Sequence, residues 1–249
     1  MSLLSKFRNS GLSRVLVLGL LVPAAGLFSV PTLHANPSGA NVVHGGVSFQ
    51  GLGSNNLIIN QSTGMAIINW QSFSIAAGQS TTFVQPNASA VALNRVVGGD
   101  PSAIYGALNA NGGVMLINTN GILVGPSGTI DIGGMLTLST LDITNEDFLN
   151  GGSNRFYGDS LTGVTNYGAI SSADGDVVVI GGFVHNNGSI GALNGNVAIG
   201  AGGDFLVNQT VNGSTISVQG ASDYDGEGIR NDGTIEGSSS QLMTHGNVF

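Results

Sequence analysis

The sequence contains no cysteine and little charge, since only 8% of its 249 residues are Asp, Glu, Lys or Arg. Without cysteine the chain can form no disulfide, so its stability has to come from packing and backbone hydrogen bonds. With 41% hydrophobic residues the composition is not that of a disordered chain, which is rich in charge and poor in apolar residues. Helical-bundle composition, rich in Ala, Glu, Lys, Leu and Arg, is also excluded.

Basic residues are scarce, and no lysine follows Lys6. Loss of residues 1–35 would leave three positive charges against 14 negative ones, a net charge of −11. Affinity for phosphate groups comes mainly from Lys and Arg, so this balance argues against nucleic-acid binding. Docking on an anionic membrane surface is disfavoured for the same reason.

The N-terminus has the layout of a secretory signal peptide. Lys6, Arg8 and Arg14 precede an apolar run from Val15 to Phe28, and Thr32-Leu33-His34-Ala35 offers a cleavage point before Asn36, with Leu33 large for its position. The run is shorter than the about 20 apolar residues that a spanning helix needs. We therefore predict a signal peptide over residues 1–35, with an uncleaved anchor as the alternative.

Groups for catalysis or metal binding are few. With four histidines, no cysteine and no HExxH spacing, the sequence predicts no catalytic residue, no metal site and no cofactor. Asp174 and Asp176 flank a glycine, but alternating carboxylates in one corner are weak evidence for a glycan-cleaving site. Residues 223–228 (DYDGEG) resemble the start of a calcium loop. Thr234 stands where the closing Glu of such a loop belongs, so the sequence favours a solvated acidic loop.

Glycine is abundant, with 41 residues, and short apolar runs alternate with Asn/Gly corners. Each run is a predicted buried strand bounded by turn residues, because Gly and Asn tolerate the positive φ of tight corners. Between residues 91 and 140 the predicted strands are Val114–Ile117, Ile122–Val124, Ile130–Ile132 and Met135–Leu138.

The second half contains a repeat with an offset of 20 residues. Asn166–Gly182 aligns with Asn186–Gly202, a third copy begins at Asn231, and a weaker relative lies at Ser127–Gly134. Such a period indicates a solenoid, in which stacked coils bury aliphatic ladders inside and place asparagine ladders at the corners. The predicted fold is an all-β parallel β-helix, with on the order of nine coils at roughly 20–25 residues per coil.

Three segments depart from the period. Asp142 to Ser160 is more polar than its surroundings and predicts one helical turn, with Thr144 or Asn145 as N-cap, followed by a loop or hairpin. Gln209 to Arg230 is a second insertion. Val42 to Phe83 alternates polar and apolar residues, and we predict that it forms an antiparallel cap over the first coil, because bare strand edges invite aggregation.

The corner Asn118-Thr119-Asn120-Gly121-Ile122 resembles the NPNGI motif of the two-partner-secretion (TPS) domain at the N-terminus of filamentous-haemagglutinin-type exoproteins. Thr119 stands where the family has proline. The surrounding NRVVGGDPSAIYG and STLDITNEDFL segments resemble the family as well. In the structural alternative, NxNG is simply a tight corner in which Gly121 takes positive φ and the Asn side chains satisfy backbone groups.

The resemblance implies a right-handed, single-stranded, pectin-lyase-like β-helix with an N-terminal β cap and small extra-helical hairpins. It also implies a secreted or cell-surface protein that passes through the periplasm and is recognised by an outer-membrane β-barrel transporter. The predicted domain spans residues 36–249, with a cap over 36–90 and coils over 91–249. Adhesion is the expected downstream role, with host-cell or surface glycans as further expected partners.

Several further residues are predicted to be structural. Trp70 and Phe73, in the segment NWQSFSI with Asn69, match a family pattern and are expected in the core, with ligand stacking as the alternative. Arg95 is one of the few basic residues of the mature chain, and it is expected to pair with Asp100 or another Asp and to fix the cap to the helix. Solvation of Arg95 is the alternative.

Two other function classes remain open from the sequence. One is a carbohydrate-active β-helix enzyme, which would need its carboxylates near a groove. The other is a stand-alone surface adhesin without a dedicated transporter. The third repeat copy stops soon after it begins, which predicts that Phe249 ends a fragment of a longer exoprotein.

Overall fold

The computed structural model describes residues 36–210, 213–219 and 228–244. The predicted signal peptide and the acidic loop at 223–227 lie outside the described residues. No helix within these ranges is long and apolar enough to cross a membrane.

The described residues form one short helix and many short strands, as the Gly/Asn corners predict. The first twelve strands in chain order are β1 (Asn41–His44), β2 (Val47–Gln50), β3 (Asn56–Gln61), β4 (Met65–Trp70), β5 (Ser80–Val84), β6 (Val91–Val96), β7 (Ser102–Ile104), β8 (Ala107–Ala110), β9 (Gly113–Ile117), β10 (Ile122–Val124), β11 (Thr129–Ile132) and β12 (Leu136–Ser139). The later elements are α1 (Asn145–Asn150), β13 (Ser153–Tyr157), β14 (Val164–Asn166), β15 (Ala169–Ser172), β16 (Val177–Gly181), β17 (Val184–Asn186), β18 (Ser189–Ala192), β19 (Val197–Ala201), β20 (Asp204–Thr210), β21 (Gly213–Val218), β22 (Ile229–Asn231), β23 (Thr234–Glu236) and β24 (Ser240–Thr244).

Three sheets run along the molecule, and each complete coil gives one strand to each. Sheet one has the order β1-β4-β6-β9-β12-β16-β19-β24, sheet two β7-β10-β14-β17-β22, and sheet three β2-β3-β5-β8-β11-β15-β18-β23. From β7 onward the chain passes from sheet two to sheet three and then to sheet one before the next coil starts. The all-β parallel β-helix predicted from the sequence is confirmed.

The 20-residue repeat sets the register of the later coils. Val164 pairs with Val184, Ile170 with Ile190, and Val177 with Val197, each pair 20 residues apart. The predicted asparagine ladder is present as well. Asn166 Nδ2 donates to Asn186 Oδ1 at 2.8 Å, and Asn186 Nδ2 donates to Asn231 Oδ1 at 2.7 Å. Identical residues therefore stack at identical places in successive coils.

The coil number is lower than predicted. Sheet one holds seven parallel strands, β4 to β24, so the described residues form seven coils rather than nine. The difference arises because residues 140–163, 202–210 and 213–219 add no strand to the three sheets.

Antiparallel pairing within the three sheets is confined to β1 and β2. Strand β1 pairs with β4, and β2 pairs with β3. Parallel pairing already begins with β3–β5 and β4–β6. The antiparallel segment predicted from Val42 to Phe83 is therefore too long, because β3 and β4 pair on one side with the antiparallel strands and on the other with the next coil.

Two apolar cores lie on opposite faces of sheet one. Along β9, Val114 and Leu116 face the inside of the helix, whereas Met115 and Ile117 belong to a second core on the outside. Burial on both faces explains why these strands are continuous apolar runs rather than alternating ones.

The second core is covered by elements outside the coils. Helix α1 starts after Thr144, whose Oγ1 accepts a hydrogen bond from Asp147 N at 3.0 Å, which confirms the predicted N-cap. Strands β13, β20 and β21 form a separate three-stranded antiparallel sheet. Phe148, Phe156 and Phe205 bury their rings in the second core.

Candidate functional site

The corner at residues 118–121 joins β9 of sheet one to β10 of sheet two. Gly121 N donates to Asn118 O at 3.0 Å and closes the turn. Gly121 has φ +115°, a value that side-chain-bearing residues rarely adopt, so glycine is required here. Asn118 is fully buried, while Thr119 is exposed at the tip.

Asn118 connects three successive coils. Its backbone N donates to Ser139 O of the following coil at 2.9 Å. Its Nδ2 donates to Asp100 O and to Ser102 Oγ of the preceding coil, both at 3.0 Å. Its Oδ1 accepts from Asn120 N at 2.9 Å. The side chain therefore satisfies backbone groups that the corner itself cannot pair.

The rest of the motif is bonded in the same inward manner. Asn120 Nδ2 donates to Gly98 O at 2.9 Å. The carbonyl of Thr119 accepts from Ser160 Oγ at 2.8 Å and from Thr162 Oγ1 at 2.9 Å. The side chain of Ile122, next in the chain, is 2% exposed. The five predicted motif residues thus form one rigid corner whose polar groups mostly face the protein.

Trp70 and Phe73 lie at the centre of the inner core. Both are fully buried, and Trp70 makes edge-to-face contacts with Phe49 and Phe73 at centroid distances of 5.6 Å. Trp70 Nε1 donates to Asn94 Oδ1 at 3.0 Å. Their burial leaves no face open for ligand stacking, so the core role predicted from the sequence matches the geometry.

Asn94 is a residue that sequence reasoning missed. It is fully buried, and its Nδ2 donates to Ala92 O at 3.1 Å while Oδ1 accepts from Trp70. The sequence feature that could have indicated its role is the position of this one amide side chain within the mainly apolar segment VALNRVV. Asn69 lies in β4 opposite Asn41 on one side and Arg95 on the other.

Arg95 pairs with the insertion rather than with its neighbour in sequence. Its Nε lies 2.8 Å from Asp142 Oδ1, and its other nitrogens donate to Asn145 Oδ1 at 2.8 Å and to Ile143 O at 2.5 Å. The contact fixes the start of α1 to β6. Asp100, the partner named first from the sequence, is exposed and instead offers its backbone carbonyl to Asn118.

The carboxylates considered for chemistry accept hydrogen bonds from neighbouring coils. Asp174 Oδ1 accepts from Asn194 Nδ2 at 3.0 Å, and Asp176 Oδ1 accepts from Asn196 N at 2.7 Å. Asp176 Oδ2 also accepts from Ser214 N, which attaches β21 to the coil. The described ranges contain no cluster of three or more His, Asp or Glu side chains suited to a metal ion.

One exposed ion pair sits on the extra-helical sheet. Arg155 Nη2 lies 2.5 Å from Asp204 Oδ2. The hydrogen bonds that Arg155 donates to the Asp204 carboxylate, together with the charge of Asp204, raise the pKa of the Arg155 guanidinium above its ordinary value. This pair joins β13 to β20 and faces solvent.

The N-terminal edges of two sheets are formed by short strands without carboxylate, lysine, arginine or proline side chains. Strands β1 and β2 are the outermost strands of sheets one and three, at the same end of the molecule. Neither strand contains an Asp, Glu, Lys, Arg or proline, although each is only four residues long and β1 has a register irregularity between Val42 and His44. In β1, Val42 is 36% exposed and Val43 is 44% exposed.

Comparison with known proteins identifies the same fold and family. The TPS secretion domain family model matches residues 34–248. The crystal structure of the HMW1 secretion domain from Haemophilus influenzae has 35% sequence identity and a TM-score of 0.72, and the match covers 80% of this chain and 53% of that one.

Two curated relatives, both from Haemophilus influenzae, are named heme/hemopexin-binding protein. One is 35% identical over 219 residues, covering 84% of this chain and 24% of that protein. The other is 39% identical over 100 residues, covering 40% of this chain and 11% of that protein. The chain thus matches about a quarter or less of the length of these relatives.

Proposed function

This chain belongs to the family of two-partner-secretion (TPS) secretion domains, and we propose that it directs the export of an exoprotein through an outer-membrane β-barrel transporter. The family is one of secretion domains and not of enzymes. Its exoproteins are secreted by way of the periplasm. Residues 1–35 would then direct the first membrane crossing, and the transporter would carry out the second.

The observation that carries the proposal is the pair of edge strands β1 and β2, which lie at the same end of the molecule and contain no Asp, Glu, Lys, Arg or proline. An edge strand has free N–H and C=O groups that can pair with a strand of another protein, the mode known as β-augmentation. Both edges belong to the first strands of the described chain, which would leave a transporter early in N-terminus-first export. We infer that a docking domain of the transporter adds a strand at this end.

The Asn118–Ile122 corner would act through its structure. Asn118 is buried and its side chain is bonded to the preceding coil, so it is positioned to fix the register of β10 rather than to contact a partner directly. Only Thr119 at the tip is exposed. In this proposal the first coils fold on emergence, and the corner makes the next coil stack in register.

A single charge on the free edge tests the docking site. In Val43→Lys, the ammonium group lies on the edge strand, and lysine opposes strand addition there. The matched control is Val84→Lys, because Val84 is similarly exposed, at 47%, but lies in β5, which is flanked by β3 and β8. We expect Val43→Lys to weaken binding of the purified periplasmic docking domains about tenfold, an effect of about 1.4 kcal/mol.

Binding is measured by biolayer interferometry with the mature chain both folded and freshly diluted from urea. Secretion from cells that express the transporter is the second readout. Absence of binding to either form of the wild-type chain would contradict the proposal. Equal loss in both lysine variants would place the docking surface away from β1.

The downstream role is a separate proposal, because the chain spans only part of its relatives. We propose adhesion to host-cell or surface glycans as the role of the complete exoprotein. The names of the curated relatives make binding of heme or hemopexin the second candidate. Cells with and without the exoprotein gene, compared for adherence and for capture of heme-loaded hemopexin, separate the two roles.

A further inference from the structure

An exposed column of residues lies at the corner between sheets two and three. In successive coils the residue that follows the sheet-two strand is Tyr105, Gly125, Tyr167, Asn187 and Asp232. The strands before these residues pair in parallel register, so the five positions stack one above another. We call this the tyrosine column.

The two tyrosines present aromatic surface to solvent. Tyr105 is 39% exposed and Tyr167 is 49% exposed. A Cβ built on Gly125 would lie 2.3 Å from ring atoms of Tyr105, so the Tyr105 ring lies over Gly125. The absence of a side chain at Gly125 thus leaves the space that the Tyr105 ring occupies. Two coils separate the two tyrosines, a distance of about 10 Å along the axis.

An open groove of about 600 Å³ runs across four coils, and the last three residues of the column, Tyr167, Asn187 and Asp232, line it. Glycines form its floor, because a Cβ at Gly188 would lie 2.1 Å from Gly168 O and a Cβ at Gly233 would lie 2.1 Å from Gly188 O. Hydroxyl groups and small side chains also line the groove. They belong to Thr129, Ala169, Ser189 and Thr234.

The charges of the groove disfavour an anionic ligand. Asp232 is the charged residue among the groove-lining residues, and its Oδ2 is 2.7 Å from Arg230 Nε. The other two described arginines, Arg95 and Arg155, are paired with Asp142 and Asp204. Phosphate, sulfate and sialic acid groups would therefore meet no free cation on the described surface.

A neutral sugar chain has the chemistry that this surface fits. The C–H face of a pyranose ring is apolar and packs on an aromatic ring, while its hydroxyl groups need amide, hydroxyl and carboxylate partners. Tyr167 supplies the aromatic ring in the groove, and Asn187, Asp232 and the hydroxyl groups of Thr129, Ser189 and Thr234 supply the polar groups. We propose that the groove binds an extended neutral oligosaccharide along the helix axis.

Isothermal titration calorimetry on the purified chain tests this site. The probes are cellohexaose, mannohexaose and laminarihexaose, with heparin as the anionic comparison. We expect at least one neutral hexasaccharide to bind, and Tyr167→Ala to weaken that binding about tenfold through loss of the stacking surface. The matched control is Tyr157→Ala, because Tyr157 is equally exposed, at 49%, but lies on the extra-helical β13.

Failure of all three neutral probes to bind would overturn the proposal. Equal weakening in Tyr157→Ala and Tyr167→Ala, or tighter binding of heparin than of the neutral probes, would overturn it too. Circular dichroism spectra that match the wild type verify the fold of each variant. Binding of Tyr167→Ala to the transporter docking domains is expected to be unchanged, so this test is independent of the export proposal.

Discussion

The Asn118 side chain uses both its donor and its acceptor in the corner. Its amide donates twice, to Asp100 O and Ser102 Oγ, while its carbonyl oxygen accepts from Asn120 N. An aspartate could accept but could not donate, and serine is too short to reach the preceding coil. Because the side chain is fully buried, water cannot replace any lost partner.

The substitution Asn118→Ala tests how much the Asn118 side chain contributes to the stability of the fold. It leaves buried donors and acceptors unpaired, so we expect the free energy of unfolding to fall by about 1–3 kcal/mol. The matched control is Asn187→Ala, at an exposed Asn-Gly corner of a later coil, which should change stability by about 0.5 kcal/mol or less. Urea denaturation followed by tryptophan fluorescence reports the change through Trp70. A similar fall in both variants would contradict the special role of Asn118.

The local sequence predicts the corner but not the residues of the preceding coil that bond to Asn118. The NxNG pattern predicts a turn with glycine at positive φ, and the structure has that turn at Gly121. Asp100 and Ser102 reach Asn118 only through the stacking of one coil on the next. Their contribution depends on coil length, which local turn chemistry does not determine.

At the scale of elements, Arg95 connects a strand of the coil to the insertion that contains α1. Three hydrogen bonds join it to Asp142, Ile143 and Asn145 at the start of the helix. The sequence predicted the helical turn, its N-cap and an ion pair of Arg95. It could not single out Asp142, because 47 residues separate the two side chains along the chain.

We expect Arg95→Ala to release the start of α1 from β6. The Arg95 side chain is only 14% exposed, and loss of its charged hydrogen bonds should cost about 1–3 kcal/mol. Hydrogen exchange should rise in residues 142–150 and stay unchanged in β16 and β19. Arg155→Ala is the comparison, and it should have the smaller effect because solvent screens its exposed ion pair. An equal or larger effect of Arg155→Ala would contradict this assignment.

At the scale of the whole molecule, sheet one separates two cores with different origins. The inner core follows from the repeat, since Ile130, Ile170 and Ile190 stack in register, and the sequence predicted this ladder. The outer core depends on segments that interrupt the repeat. Those segments read as polar insertions, and their strand pairing is long-range, so the sequence did not predict that they cover an apolar face.

Gly200 shows how the repeat adapts to its cover. It pairs in register with Ile180 of the preceding coil, but a Cβ at Gly200 would lie 2.8 Å from the ring of Phe205. The missing side chain gives the aromatic ring its place against sheet one. The glycine that replaces an aliphatic residue at position 200 of the repeat therefore allows Phe205 to pack in the outer core.

The two cores should respond separately to substitution, and Phe205→Ala tests this. Phe205 is fully buried in the outer core, so its truncation should cost about 3–5 kcal/mol locally. Because the coils stack only on their neighbours, we expect faster hydrogen exchange in β13 and β20 and stronger dye binding by the exposed apolar face. Ile170→Ala, in the inner core, should instead lower protection in the coils on both of its sides. Equal loss of hydrogen-exchange protection in all seven coils of Phe205→Ala would show that the outer core and the β-helix unfold as one cooperative unit. In that case the first coils could not fold stably before residue 205 had emerged, which would contradict the proposed folding of the first coils on emergence.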